Sequence, residues 1–435
     1  MPEAEAGDER LMKRVVWRVM PLVTLCYVFA TLDRSNIGFA KLLMAKSLGM
    51  TEAVFSLGSS LFFVGYLALE VPSTLAAHRY GSRKWFARIM VTWGLATLLL
   101  GFARSAPVFY ALRFALGAAE AGLYPAALYY MTFWFPRRSR AQAVGFLTVG
   151  SAIGNGAGAL VSGALLDLDG VLGFQGWQWV FLVTGALPIL AAPLILRWLD
   201  DRPQSARFLS SEEKVRLEAL VAANRQSGSA THPNIWSAML NLQVLGLSIV
   251  YVLILTALYG VIYWSPTVIR EFAANGAQTG LLSAAPYALT AALLAIIPPR
   301  LKSRRSLLGA MNVIGLAGAL AFAMAASMDS VSVRYAALLV GTPCISLVLA
   351  CYWTFPMQLF GGVRSAAAIG AISTLGNVGG VVAQNLMPAL AKAGSGASAA
   401  LWAPGLFLTL IALGAAIRLA VSSRRGRASG SPQIT

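Results

Sequence analysis

SAIGNGAG, residues 151–158, returns late in the chain as STLGNVGG, residues 373–380. Both read Ser-x-x-Gly-Asn-x-x-Gly, with Ser151, Gly154, Asn155 and Gly158 answered by Ser373, Gly376, Asn377 and Gly380. Each lies in a long apolar run, and each run follows a phenylalanine-proline step, WFP ending at Pro136 and TFP ending at Pro356. Self-similarity at equivalent points of two stretches divides a chain into halves of one design. The glycines suit close helix packing at membrane depth. The asparagines fit two roles, an interhelical hydrogen bond or a donor to a bound solute.

Working outward, the 435 residues are 57% hydrophobic and 12% charged, with mean hydropathy +0.68, whereas soluble domains are roughly a quarter charged. Apolar runs long enough to cross a bilayer as helices recur at 15–39, 53–77, 84–104, 106–132, 140–166, 177–198, 240–268, 277–299, 305–327, 331–357, 364–391 and 399–421. Ten-residue alternating segments are absent, which argues against a barrel and for helices as the way to satisfy the backbone in lipid. The expected fold is an all-α membrane protein of twelve transmembrane helices in two six-helix halves. The halves are 1–198 and 237–435, joined by a polar linker at 199–236. Within the linker, LSSEEKVRLEAL reads as a short amphipathic helix, with Ser210 as N-cap and Glu213 three residues on. The Asp33-Arg34 pair interrupts the first run, so it does not read as a cleavable signal.

The net charge of +17 invites a nucleic-acid reading, but its distribution argues otherwise. Twenty-six of the 34 lysines and arginines fall at the termini and in alternate loops on one side, and six on the other. By the positive-inside rule both termini are cytoplasmic; the excess sets topology and meets anionic lipid. Cys26, Cys344 and Cys351 lie in apolar runs without metal-ligand spacing, and His78 and His232 are too few for a zinc site. No cofactor is expected, and no phosphate-binding glycine loop, metal cluster or nucleophile elbow points to an enzyme.

The charges inside the runs carry the chemistry. VFATLDRSNIGFA, residues 28–40, places Asp33 beside Arg34, and YALRFALGAAEAGLYP, residues 110–125, places Arg113 seven before Glu120. Charges at this depth are costly and usually face a cavity or a partner. Arg113 and Glu120 share a helix face about 10 Å apart, too far to neutralise each other, and the first span offers one partner of each sign. Asp33 and Arg34 point about 100° apart, so they serve two directions. Glu70 is a weaker fifth member. A structural ion-pair network is one reading. The other is a site where arginines hold an anion by their planar fork and carboxylates carry protons. Tyr259 and Tyr263, four apart in LYGVIYWSPTVI at 258–269, share a face; Tyr259 is a cavity candidate, and Trp264 suits an interfacial belt.

These motifs resemble the anion:cation symporter family of the major facilitator superfamily, which includes bacterial sugar-acid, tartrate and phthalate permeases and the vesicular glutamate transporters. The resemblance rests on LDRSNIGFA (32–40), EVPSTLAAHRYGSRKW (70–85), the stretch 113–145, YGVIYWSPTVI (259–269) and STLGNVGG (373–380). It implies that Arg34 and Arg113 contact a substrate carboxylate, that Asp33 and Glu120 take protons, and that Asn377 lines the site. Asn155 and Tyr259 join them as residue-level candidates. It implies proton-coupled uptake of a small organic carboxylate by alternating access, in a monomer of the bacterial inner membrane. An organic-anion exchanger or facilitator, and a drug exporter of the same superfamily, are the alternatives. Three departures bear on gating and binding: Thr31 stands where relatives often carry tyrosine, His78-Arg79 where they carry Asp-Arg, and PPRLKSRRS (298–306) has no acid.

Overall fold

The computed structural model describes residues 2–222, 240–301, 303–359, 363–394 and 396–428. The described residues are helical throughout apart from short connections, as apolar chain in lipid requires. The first seven helices are α1 (Pro2–Ser47), α2 (Glu52–Tyr80), α3 (Ser82–Leu100), α4 (Ala106–Glu120), α5 (Leu123–Trp134), α6 (Arg137–Leu166) and α7 (Gly176–Trp198). Next comes the short α8 (Ser211–Ala222). Then follow α9 (Leu242–Arg270), α10 (Gly276–Ile296), α11 (Arg304–Ser327), α12 (Val331–Leu359), α13 (Val363–Gly376), α14 (Val378–Ala393) and α15 (Trp402–Ala428).

Among the described residues, nine helices are individually long and apolar enough to cross a membrane. The other three predicted spans miss that test for legible reasons. Helix α3 carries Arg83, Lys84 and Arg88 in its 19 residues. The fourth span is divided into α4 and α5, and the eleventh into α13 and α14. The fourth breaks because Gly122 takes a left-handed conformation, φ 84 and ψ −4, which is open to glycine at little cost. The eleventh breaks at Asn377. Helix α8 stands where the short linker helix is expected. The Ser210 amide donates to Glu213 Oε2 at 3.0 Å and the Glu213 amide to Ser210 Oγ at 3.2 Å, the reciprocal cap the sequence calls for. The predicted linker stretch 223–236 lies outside the described residues.

The chain forms two compact units, Met1–His232 with Ala273–Ala284, and Pro233–Phe272 with Ala285–Thr435. In the first, the main packed pairs are α1 with α6, α2 with α4, and α3 with α7. The α1–α6 seam explains the first repeat motif. A Cβ at Gly154 would collide with Thr31 Oγ1 and the Val28 carbonyl, and one at Gly158 with Ser35 Oγ. Backbone thus approaches backbone where a larger residue would force the helices apart. In the second unit α11 packs on α12 and α15, while α9 lies against α13 and α14. In the second motif Gly376 abuts the Tyr251 ring, and Gly379, beside the motif's Gly380, abuts the Val252 carbonyl.

Candidate functional site

Helix α1 sends its two adjacent charges different ways. Arg34 Nε donates to Glu120 Oε1 at 2.7 Å, with the glutamate side chain fully buried and the arginine 13% exposed. Glu120 is the last residue of α4, immediately before the Gly122 break. Carbonyls converge at a helix C-terminus and make it electronegative, so a carboxylate there needs a cation, and Arg34 is that cation. Glu120 Oε2 has no hydrogen-bond partner among the described residues. Asp33 turns instead to α3 and α7. Its Oδ1 accepts from Asn36 Nδ2 at 2.9 Å and its Oδ2 from Thr97 Oγ1 at 3.1 Å, and the same Asn36 amide reaches Thr184 Oγ1 at 3.0 Å. The two charges therefore divide as the 100° step requires.

Arg113 is buried, and its Nη2 donates to the Ser59 carbonyl at 3.3 Å. Its guanidinium lies 5.0 Å from the centre of the Phe62 ring, and Arg34 lies 5.7 Å from the same ring and 5.0 Å from Tyr66. A cation over an aromatic face is stabilised by the ring quadrupole, more so when desolvated. Helix α2 thus supplies a shared aromatic wall to both arginines. Neither Phe62 nor Tyr66 was singled out from sequence. Their signal is positional, since Phe62 and Tyr66 are four apart on one helix face.

The second unit holds the remaining candidates. Asn377 is buried at the break between α13 and α14, and its Nδ2 donates to the Ser373 carbonyl at 3.1 Å. Tyr259 is buried on α9. Tyr251, which sequence reasoning passed over, stacks on Tyr352 with centroids 5.4 Å apart and meets Trp353 edge-on at 5.0 Å. Trp264 is buried against protein, and its Nε1 donates to the Ala397 carbonyl at 2.8 Å. In the first unit, Asn155 Nδ2 donates to the Ser151 carbonyl at 2.9 Å while its Oδ1 has no partner among the described residues. In both repeats, then, the motif's asparagine bonds the carbonyl of the motif's own serine.

Two of the three sequence departures have local explanations. Thr31 Oγ1 bonds the Tyr27 and Val28 carbonyls at 3.0 and 3.1 Å, so this position serves the α1–α6 seam. His78 stacks on Tyr129, with centroids 3.3 Å apart. At the α2–α3 loop an acid does arrive, from another segment: Asp201 Oδ1 accepts from the Arg83 amide at 2.8 Å.

A chain of apolar helices with two repeats and buried opposite charges calls for comparison with membrane carriers. The family model described as Major Facilitator Superfamily matches residues 23–384. The chain belongs to the Major Facilitator Superfamily. This member is 34% identical over 383 residues to an Agrobacterium vitis protein named for tartrate transport, covering 87% of this chain and 85% of that one. It is 34% identical to the inner membrane transport protein RhmT of Escherichia coli (86% and 87% covered). It is also 34% identical to a quinolone resistance transporter of Acinetobacter baumannii (86% and 87% covered). Among solved structures it is similar to the xylose transporter XylE from E. coli, at TM-score 0.69 and 14% identity, covering 92% of this chain and 97% of that one. At that identity the likeness carries the twelve-helix fold alone. The protein is a multi-pass transporter of a small-molecule substrate, and the family places it outside the enzymes.

Proposed function

We propose that the protein is a proton-coupled symporter that takes up a small organic carboxylate by alternating access across the inner membrane of a bacterium, with both termini cytoplasmic. The observation that carries the reading is the Arg34–Glu120 pair at 2.7 Å, with Arg113 two turns away on the same helix as Glu120 and against the same Phe62 ring as Arg34. An ionised Glu120 neutralises much of the Arg34 charge, so a second anion binds there more weakly. While Glu120 is ionised it occupies Arg34 and competes with an anionic substrate. A proton on Glu120 removes that competitor and frees the fork for the substrate carboxylate, while Arg113 offers a second cation. Proton and anion then bind together, which is the requirement for symport. Asp33, held by two donors, is the second proton carrier. Asn377, Tyr259 and Asn155 supply polar contacts to the rest of the substrate.

The test is equilibrium binding of a carboxylate panel that includes tartrate, followed by thermal shift of purified protein, since a ligand at a hundred times its Kd adds about 2.7 kcal/mol of stability. Wild type should be stabilised more as pH falls toward the substrate's own ionisation, because protonated Glu120 leaves Arg34 open. Arg113→Ala should show no shift while melting cooperatively. An equal shift in wild type and Arg113→Ala sinks the anion-site assignment. Export of a drug is the second reading, favoured by the quinolone resistance relative. Expression in a susceptible strain separates the two: a raised inhibitory concentration without carboxylate uptake would favour export.

A further inference from the structure

Helix α2 offers groups at seven-residue spacing along one face, Glu52, Ser59 and Tyr66, with Ser56 on the same side. Three cations meet it in turn. Lys41 Nζ lies 2.5 Å from Glu52 Oε1. Arg113 donates to the Ser59 carbonyl. Arg34 lies over the Tyr66 ring. The same spacing recurs on the other two helices, with Arg34 and Lys41 seven apart on α1, and Arg113 and Glu120 seven apart on α4. The cations therefore step along α2 from its N-terminal end to the Arg34–Glu120 pair, over about 10 Å for each seven residues.

The end of this ladder nearest Glu52 holds unused hydrogen-bonding capacity. Lys41 is only 7% exposed, whereas the Glu52 side chain is 43% exposed. Ser56 and Ser59 are buried, at 3% and 0% exposure, and neither Oγ has a partner among the described residues. A buried hydroxyl without a partner is costly, so two of them on the stretch of α2 that runs from the Lys41 contact to the Arg113 contact call for a reason. A Lys41–Glu52 pair that served packing alone would not need them. An oxyanion would use all four groups: two hydroxyl donors, an ammonium and a guanidinium.

We infer that Lys41, Ser56, Ser59 and Arg113 form a second anion subsite, which a carboxylate occupies in transit to or from Arg34. Glu52 is its displaceable stand-in: it neutralises Lys41 when the subsite is empty and swings toward water when an anion arrives. The inference rests on reading Arg34 and Arg113 as the anion site, and it adds a station that this reading does not require.

The test needs no knowledge of the transported acid. In a background with Cys26, Cys344 and Cys351 replaced by serine, Ser56→Cys is reacted in a nonionic detergent with an anionic sulfonatoethyl thiosulfonate and with its cationic trimethylammonium analogue. The expected anionic-to-cationic rate ratio is about tenfold, in the range by which local fields raise encounter rates. Lys41→Gln should bring the ratio near unity, Lys41→Arg should keep it, and Glu52→Gln should raise it. Molar salt should collapse it without any substitution at Lys41, because the Debye length falls to about 3 Å. Equal rates for the two reagents, a cationic preference, or no reaction with either overturns the subsite. Should the ratio fail while carboxylate binding still depends on Arg113, the subsite alone falls. Should the ratio hold while Arg113→Ala keeps full carboxylate binding, the subsite stands and the reading of the main site falls.

Discussion

The first unit buries Asp33, Lys41, Glu70, Arg113 and Glu120; among the described residues, the second buries no charged side chain. In their place the second unit gathers rings around its helix break, Tyr251 on Tyr352 and Trp353, with Asn377 and Gln384 buried nearby in sequence. The two units share a repeat motif and a device for packing glycine against a neighbouring helix, so the difference is not one of architecture. Charge in an apolar interior costs several kcal/mol unless paired, and such a cost is concentrated where charge must be recognised or moved. On the proposed function, substrate charge and protons belong to the first unit, and shape and neutral hydrogen bonds to the second.

The largest effect that can break this contrast comes from the arginines. Arg34→Ala and Arg113→Ala should each weaken carboxylate binding at least about a hundredfold, since truncating one partner of a buried charged pair costs 2–5 kcal/mol and each 1.4 kcal/mol is tenfold. Tyr259→Phe and Asn377→Ala should each stay within about tenfold, the worth of one neutral hydrogen bond. Arg34→Ala also strands the Glu120 carboxylate, so Arg34→Ala with Glu120→Gln should recover stability without recovering binding. Equal losses from the two units in isothermal titration would erase the division.

The carboxylates sharpen it. Glu120→Gln keeps an acceptor for Arg34 but loses the charge, mimicking the proton-loaded state. It should abolish accumulation driven by a pH gradient while sustaining counterflow in proteoliposomes, and its substrate binding should lose most of the pH dependence seen in wild type. Asp33→Asn should behave worse. Both Asp33 oxygens accept, from Asn36 and Thr97, and an amide must turn its NH2 toward one of these groups. Gradient-driven accumulation in both amide variants would leave the pair as packing charges.

Composition and periodicity made the spans and the capped linker helix legible, because a twenty-residue apolar run in lipid has one backbone solution. The partners were less so. That Arg34 meets Glu120 followed from charge balance, but that Asp33 is held by Thr97 and by Asn36, which also reaches Thr184, did not. A threonine in a span reads as an ordinary apolar-tolerant residue until two helices place it. Phe62 and Tyr66 hid for a related reason: aromatic residues are common in spans, and only the approach of α1 and α4 to α2 marks these two. The breaks in spans four and eleven were invisible to hydropathy, since the runs around Gly122 and Asn377 stay apolar enough on average to read as single spans.

A smaller effect compares glycines across the seams. Gly376→Ala would drive a Cβ into the Tyr251 ring, and Gly154→Ala into Thr31, whereas Gly145 has nothing within 4 Å of a Cβ. The first two should lower thermal stability by about 1–3 kcal/mol, the usual cost of overpacking. Gly145→Ala should raise it by about 0.5–1 kcal/mol, the gain from replacing a helical glycine. Differential scanning of the three side by side checks the claim that both motifs serve packing; a stable Gly154→Ala would detach the α1–α6 seam from it.

The smallest expected effect separates the two asparagines, which the motif makes look alike. Each donates its amide to the serine carbonyl four residues back. Asn155 alone of the two has a buried Oδ1 without a partner among the described residues. Stability should therefore change little in Asn155→Ala, because the helix through it is continuous and the substitution removes an unsatisfied acceptor together with one hydrogen bond. Recognition is another matter. An acceptor with no protein partner suits a substrate hydroxyl, and it offers nothing to a bare carboxylate. Asn155→Ala should thus cost about tenfold in affinity for a hydroxylated acid such as tartrate, one hydrogen bond's worth, and leave the unhydroxylated diacid of the same length unchanged. Asn377→Ala, at a helix break, should weaken both acids alike. Competition binding with the matched pair decides it: equal losses for the two acids in Asn155→Ala would return that residue to helix packing and leave neutral recognition to the second unit.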